Sequence, residues 1–199
     1  MSRALSTWRV VHSWGKGPNA TVELRGGPSG ESVVLKRFHR RNYLPFLREC
    51  CALAVLQPTG VVPKISYIGL YSRTIGMERV NGISLLQWVW ERFGEGTTEA
   101  APGMRSRIKA HVSVMAAFRA FQESRAAECM ALRSGIRTAY AKVHARHVVH
   151  NDVKPANIYC EESPEGGYGI WLLDWEGAAV RWDAARRDKE ELLLWIGGS

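Results

Sequence analysis

Near residue 80 the hydrophobic pattern of this chain changes period, and few folds accommodate both halves. Before that point, short runs rich in β-branched and aromatic residues ("TWRVVHSW", "ATVELRG", "SVVLKRF", "ISYIGLY", "RTIGMERV") are separated by clusters of Gly, Pro, Asn and Ser. Runs of this kind predict a small sheet built from hairpins. One segment departs from the pattern: "NYLPFLRECCALAVLQ" carries apolar residues at helical intervals and stops at "PTG", so a single helix interrupts the sheet. After Asn81-Gly82 the pattern is helical. "SLLQWVWERF" leads into the Gly/Thr/Ala/Pro-rich stretch "GEGTTEAAPG", which reads as flexible, and then into "RSRIKAHVSVMAAFRAFQESRAAECMALR". Ile136, Ala139, Tyr140 and Val143 recur at i, i+3, i+4 and i+7, the stripe of an amphipathic helix. The expected architecture is α+β and bilobal: a small antiparallel β lobe with one helix over residues 1–80, and a short, mainly α lobe over residues 81–199.

A length of 199 residues supports one domain with a real core or two small lobes sharing a cleft. Hydrophobic residues at 46% and charged residues at 23% exclude a wholly disordered chain. No run is long enough to span a bilayer or to serve as a signal peptide. Cys50, Cys51, Cys129 and Cys160 lack metal-site or disulfide-framework spacing, which fits free thiols in a reducing compartment. The expected location is therefore intracellular, cytoplasmic or nuclear. A net charge of +8, densest in "KRFHRR" at 36–41, would attract phosphates, acidic partners or nucleic acid. No aromatic interleaving or known reader motif accompanies it, so a solvated basic face competes with any nucleic-acid site.

Chemistry concentrates in "HVVHNDVKPANIY" at 147–159, where Asp152, Lys154 and Asn157 fall within six positions. A carboxylate beside a hydroxyl can take its proton, and an Asn amide oxygen with a second carboxylate suits a hard, oxygen-seeking Mg²⁺. A lysine among them can neutralise a transferring phosphoryl group. The second carboxylate is available in "LLDWEG", where a predicted short strand ends at Asp174.

These segments resemble the protein kinase-like superfamily. "HNDVKPAN" is similar to the catalytic loop H-R-D-x-K-x-x-N of serine/threonine kinases, and "LLDWEG" to the metal-binding D-F-G segment. "WGKGPNATV" is similar to the glycine-rich loop, with Gly15 and Gly17 in the first two glycine places, Ala20 in the third, and Val22 closing the motif. "VVLK" puts Lys36 where the family has its strand lysine. The resemblance then implies that Glu49, in the predicted helix, pairs with Lys36. "TIGMERVNGISL" looks like the hinge: Met77 would stand at the back of the pocket, and the backbone of Glu78 and Val80 would meet adenine. On this reading the cofactors are ATP and Mg²⁺, with Asn157 and Asp174 on the metal and Asp152 and Lys154 at the reacting groups. His144 and His150 are expected to be structural. Asp188, in "DKEELLLWI", would either brace the catalytic loop from below or sit as an exposed acid at a helix start.

Departures from the pattern bear on the substrate. Asn151 stands where regulated kinases carry an arginine that reads activation-loop phosphate. Trp175 and Glu176 replace Phe and Gly of D-F-G, a variant resembling small-molecule phosphotransferases, whereas Lys154 resembles protein kinases. Only 25 residues follow Asp174, without an A-P-E segment, which implies a minimal or truncated second lobe. The expected phosphoryl acceptor is a protein Ser/Thr hydroxyl, with a small molecule as the alternative. Two other classes stay open: a catalytically lapsed, nucleotide-binding scaffold, and a kinase-like protein working beside nucleic acid.

Overall fold

A computed structural model describes residues 8–94 and 104–197, so most of the Gly/Thr/Ala/Pro-rich stretch anticipated as flexible lies outside the described residues. The chain begins with strands β1 (Arg9–Lys16), β2 (Ala20–Gly26) and β3 (Ser32–Phe38), then helix α1 (Tyr43–Leu56), β4 (Ile65–Gly69) and β5 (Thr74–Met77). The five strands form one antiparallel sheet in the order β1-β2-β3-β5-β4. Because successive side chains alternate across a strand, Lys36 leaves the exposed part of the basic run at 36–41, which keeps Arg37, Arg40 and Arg41 at the surface. Lys36 and Phe38 are buried on one side of β3, while Arg37 between them is exposed.

Helix α1 buries Phe46, Glu49, Cys50 and Leu53, spaced i, i+3, i+4 and i+7. An acid on the inward stripe of an amphipathic helix needs a partner, because burying an unpaired charge is costly. That requirement singles out Glu49 before any resemblance is invoked.

The remaining strands and α-helices are β6 (Ile83–Ser84), α2 (Leu85–Phe93), α3 (Met104–Glu123), α4 (Ala127–His144), β7 (Val148–Val149), β8 (Ile158–Glu162), β9 (Tyr168–Leu172), β10 (Ala179–Val180) and α5 (Ala184–Ile196). Gly82 begins this half in a left-handed conformation (φ 95°), and a Cβ there would sit 2.3 Å from the Cys160 carbonyl oxygen. The chain thus turns tightly against β8 where only glycine fits. Ser84 caps α2 by accepting from the Gln87 amide at 3.2 Å.

The long helical stretch after residue 104 divides into two helices at 124–126, where Arg133 reaches back to the carbonyls of Phe121 and Ser124 at the end of α3. The stripe anticipated from Ile136 onward also begins earlier, with Cys129 and Leu132. Trp88 packs edge-on to Phe121 and Tyr168, and Phe118 to Trp195, so aromatic rings join α2, α3, β9 and α5. One apolar core runs from Ala20 and Phe38 through these rings to Ile196.

The fold is α+β, with the small antiparallel sheet and helical second half of a bilobal kinase-like protein. Among the described residues no helix is long and apolar enough to cross a membrane.

Candidate active site

Between the five-stranded sheet and the helical half lies a cleft of about 630 Å³. Its roof is the β1–β2 turn. Gly15 has φ 89°, and the Gly17 amide donates to the Ala20 carbonyl at 2.9 Å, closing the hairpin. Gly15, Gly17, Ala20 and Val22 all face the cleft, as do Lys36 and Glu49 behind them. Met77, Glu78 and Val80 line the wall where β5 leaves the sheet. The Glu78 amide already donates to the Lys64 carbonyl at 2.9 Å, so any main-chain contact from Glu78 to a base falls to its carbonyl.

Lys36 is the electrostatic centre. Its Nζ donates to Glu49 Oε2 and to Asp174 Oδ1, both at 2.6 Å, and Glu176 Oε2 is 3.7 Å away. Burial by itself lowers the Lys36 pKa, but the Glu49 and Asp174 carboxylates outweigh it and hold the ammonium charged well above its ordinary range. Burial pushes the Glu49 carboxyl up, and Lys36 pulls against that shift. Ligand oxygens of Glu49, Asp174 and Glu176 lie within 4.8 Å of one another around this cation.

The floor is the "HNDVKPAN" segment, which resembles a catalytic loop and is presented between β7 and β8. Lys154 Nζ donates to Asp152 Oδ2 at 2.5 Å. Asn157 Nδ2 donates to the same Oδ2 and to the Asp152 carbonyl, each at 3.0 Å. With its nitrogen so engaged, Asn157 offers its amide oxygen to other partners. Asn157, Lys154 and Asp174 line the cleft; Asp152 does not itself line it but is tied to it through both neighbours. An amide oxygen and a half-exposed carboxylate are hard oxygen donors, the set Mg²⁺ takes in phosphoryl-transfer sites, so the residues present fit that ion.

Support comes from below. Asp188 is completely buried, and its carboxylate accepts from the backbone amides of His150 (2.8 Å) and Asn151 (3.2 Å) and from His144 Nε2 (3.0 Å). Of the two expectations for Asp188, bracing the loop is the one the geometry matches. Val153 is pinned from both sides, its amide by Glu191 and its carbonyl by the Trp195 indole, each at 3.0 Å.

Asn151 and Asp174 both adopt positive φ (60° and 67°), a conformation that costs most side chains energy and that Asn and Asp tolerate best. Asn151 does more than mark a missing arginine: its Nδ2 donates to the Gly177 carbonyl at 2.9 Å, tying the catalytic loop to the D-W-E segment.

His150 is fully buried, donates from Nε2 to the Leu173 carbonyl at 2.9 Å and packs at a tilt against Trp175 with ring centroids 4.3 Å apart. Both histidines therefore serve the scaffold, as expected.

One contact escaped the sequence reading, in which Asn19 has no role and Glu176 is only a departure from D-F-G. Asn19, in the β1–β2 turn, donates from Nδ2 to Glu176 Oε1 at 2.6 Å. They are 157 positions apart, and no local pattern links them.

The profile of the lipopolysaccharide kinase (Kdo/WaaP) family matches residues 108–194. That is less than half of the chain, but it takes in the catalytic loop, the D-W-E segment and most of α5. The matched family is one of kinases; the turn, Lys36 and Glu49 lie outside the match. No curated protein matches the chain.

Proposed function

We propose that this protein is an ATP- and Mg²⁺-dependent phosphotransferase that moves the γ-phosphoryl group to a hydroxyl acceptor. The observation that carries the reading is the convergence on one cleft of the Lys36–Glu49 pair, Asp174, and the linked Asp152, Lys154 and Asn157. The nucleotide would lie under the β1–β2 turn, its base between Met77 and the Glu78–Val80 backbone and its phosphates toward Lys36. Asn157 and Asp174 would hold the metal, which when bound neutralises charge on the phosphate oxygens.

Asp152, anchored through Lys154 and Asn157, accepts the proton of the acceptor hydroxyl as its oxygen bonds to the γ-phosphorus and the bond to the β,γ-bridging oxygen breaks, releasing ADP. Lys154 then supplies positive charge beside the oxygens of the group in transit. Glu49 keeps Lys36 pointed into the cleft. Positioning and electrostatics account for most of such catalysis, so rigid support from Asp188 and Val153 belongs to the mechanism.

For the acceptor we favour a hydroxyl on an anionic glycan or glycolipid, because the matched family is named for lipopolysaccharide kinases and a net charge of +8 attracts anions generally. The spacing of Lys154 from Asp152 favours a second acceptor class, protein Ser/Thr. All four cysteines are free thiols, which fits work inside the cell, where ATP is found. Radiolabel transfer from γ-labelled ATP to lipopolysaccharide core fractions and to Ser/Thr peptides tests both. Labelling of glycan alone supports the first acceptor, labelling of peptide alone the second, and nucleotide binding without transfer to either supports a non-catalytic scaffold.

A further inference from the structure

The β1–β2 turn is gripped from two sides. From the sheet side, the His39 ring nitrogen Nε2 meets the Gly17 carbonyl at 3.0 Å. Asn42 Nδ2 donates to Asn19 Oδ1 at 2.9 Å and to the Asn19 carbonyl at 3.2 Å. From the opposite side of the cleft, Glu176 Oε1 takes the Asn19 Nδ2 donor at 2.6 Å. Asn42 fixes the sense of the Asn19 amide: its oxygen is engaged by a donor, so its nitrogen must face the carboxylate. A neutral donor on a partly buried carboxylate makes a charge-assisted hydrogen bond, stronger than a neutral pair.

Glu176 stands where the D-F-G pattern has glycine, which could make no such contact. Its second oxygen is the most distant of the three carboxylate contacts of Lys36, 3.7 Å against 2.6 Å for Glu49 and Asp174. Its short hydrogen bond goes to the turn instead.

We infer that Asn19 and Glu176 are a positioning pair that holds the phosphate-facing turn down on the D-W-E segment, so that closure of the roof is present before nucleotide arrives. The inference rests on the phosphotransferase reading for its purpose, since a preset roof lowers the ordering that nucleotide binding requires. Asn42 and His39 transmit the position of α1 and β3 to the same turn, so the pair links the roof to the elements that carry Lys36 and Glu49.

The test uses the full chain without nucleotide. Hydrogen exchange of the amides at 15–22 is compared among wild type, Asn19→Ala, Glu176→Ala and Glu176→Gln, with β8 amides as an internal reference for global stability. The expected result is faster exchange in this segment, by about tenfold, in both alanine variants. Glu176→Gln stays close to wild type, because its amide oxygen still accepts from Asn19. Unchanged exchange in Asn19→Ala overturns the pair. So does a Glu176→Gln segment as fast as Glu176→Ala, which would assign Glu176 to its charge rather than to Asn19.

In parallel, Asn19→Ala is expected to raise KM for ATP by about tenfold with a smaller change in kcat; a fall in kcat alone overturns the positioning role. Wild-type protein that binds no nucleotide would sink the phosphotransferase reading, while the exchange comparison would still decide the pair.

Discussion

Lys36 Nζ lies 2.6 Å from Glu49 Oε2, and neither side chain is more than a tenth exposed. Such a pair is costly to break from one side, because the survivor is left as a buried, uncompensated charge. Lys36→Met is expected to lower stability by about 3–5 kcal/mol, read by urea unfolding. Lys36→Met combined with Glu49→Leu should recover most of that loss, since an apolar pair of similar volume suits the site. Neither variant should bind nucleotide. A double variant as unstable as Lys36→Met would show that the cost lies elsewhere than in the stranded carboxylate.

Among the described residues, the side-chain hydrogen bonds of Asp152 are those of Oδ2 with Lys154 and Asn157, so its replacement disturbs few contacts. Asp152→Asn should cut turnover at least about 100-fold while leaving the affinity for MgATP within about twofold. Equal losses in binding and turnover would move Asp152 from proton acceptor to nucleotide ligand.

Asp188 has the opposite profile: it does not line the cleft, is completely buried and is engaged at both oxygens. Its two oxygens hold three donors from the loop and α4. Asp188→Asn puts an amide nitrogen against backbone N–H groups, and is expected to cost about 3 kcal/mol or more. In the fraction that stays folded, kcat should fall with little change in KM for ATP.

The sheet, the interrupting helix and the catalytic segments were legible because each is written locally. β-branched runs, a helical stripe and closely spaced polar residues need only a short window of sequence. Glu49 was legible from motif order, and its place on the buried face of α1 comes from the structure. What local windows do not carry is contact between distant segments. Asn19 and Glu176 meet only once the sheet has folded over the helical half, and Glu176 read alone was merely a departure from D-F-G. Asn151 was read for the arginine it replaces; its left-handed backbone and its bond to Gly177 appear only in three dimensions. The break between α3 and α4 was missed because "QESRAAE" contains neither Gly nor Pro, and Arg133, which satisfies the freed carbonyls, lies beyond it.

His150 gives the acid side of the stability profile a definite sign. Burial lowers its pKa below the ordinary 6.5, so the folded protein keeps it neutral while the unfolded chain takes up a proton. Its contribution is full above pH 6.5 and is lost as the pH falls through the depressed folded value. For one proton the slope is at most about 1.4 kcal/mol per pH unit. Unfolding free energies at pH 7.5, 6.5 and 5.5 should decline in wild type, and His150→Gln should flatten that decline. Parallel profiles for the two proteins would show that other groups set the acid limit.

The measurement that bears most directly on the phosphotransferase account is a thermal-shift titration with ATP, with and without Mg²⁺, on wild type and Asp174→Ala. A ligand that binds only the folded state stabilises it by about 2.7 kcal/mol at a hundred times its dissociation constant. The account predicts a rise in Tm that grows with ATP, requires Mg²⁺ and disappears in Asp174→Ala. No shift at millimolar ATP, or an equal shift in the variant, would contradict it.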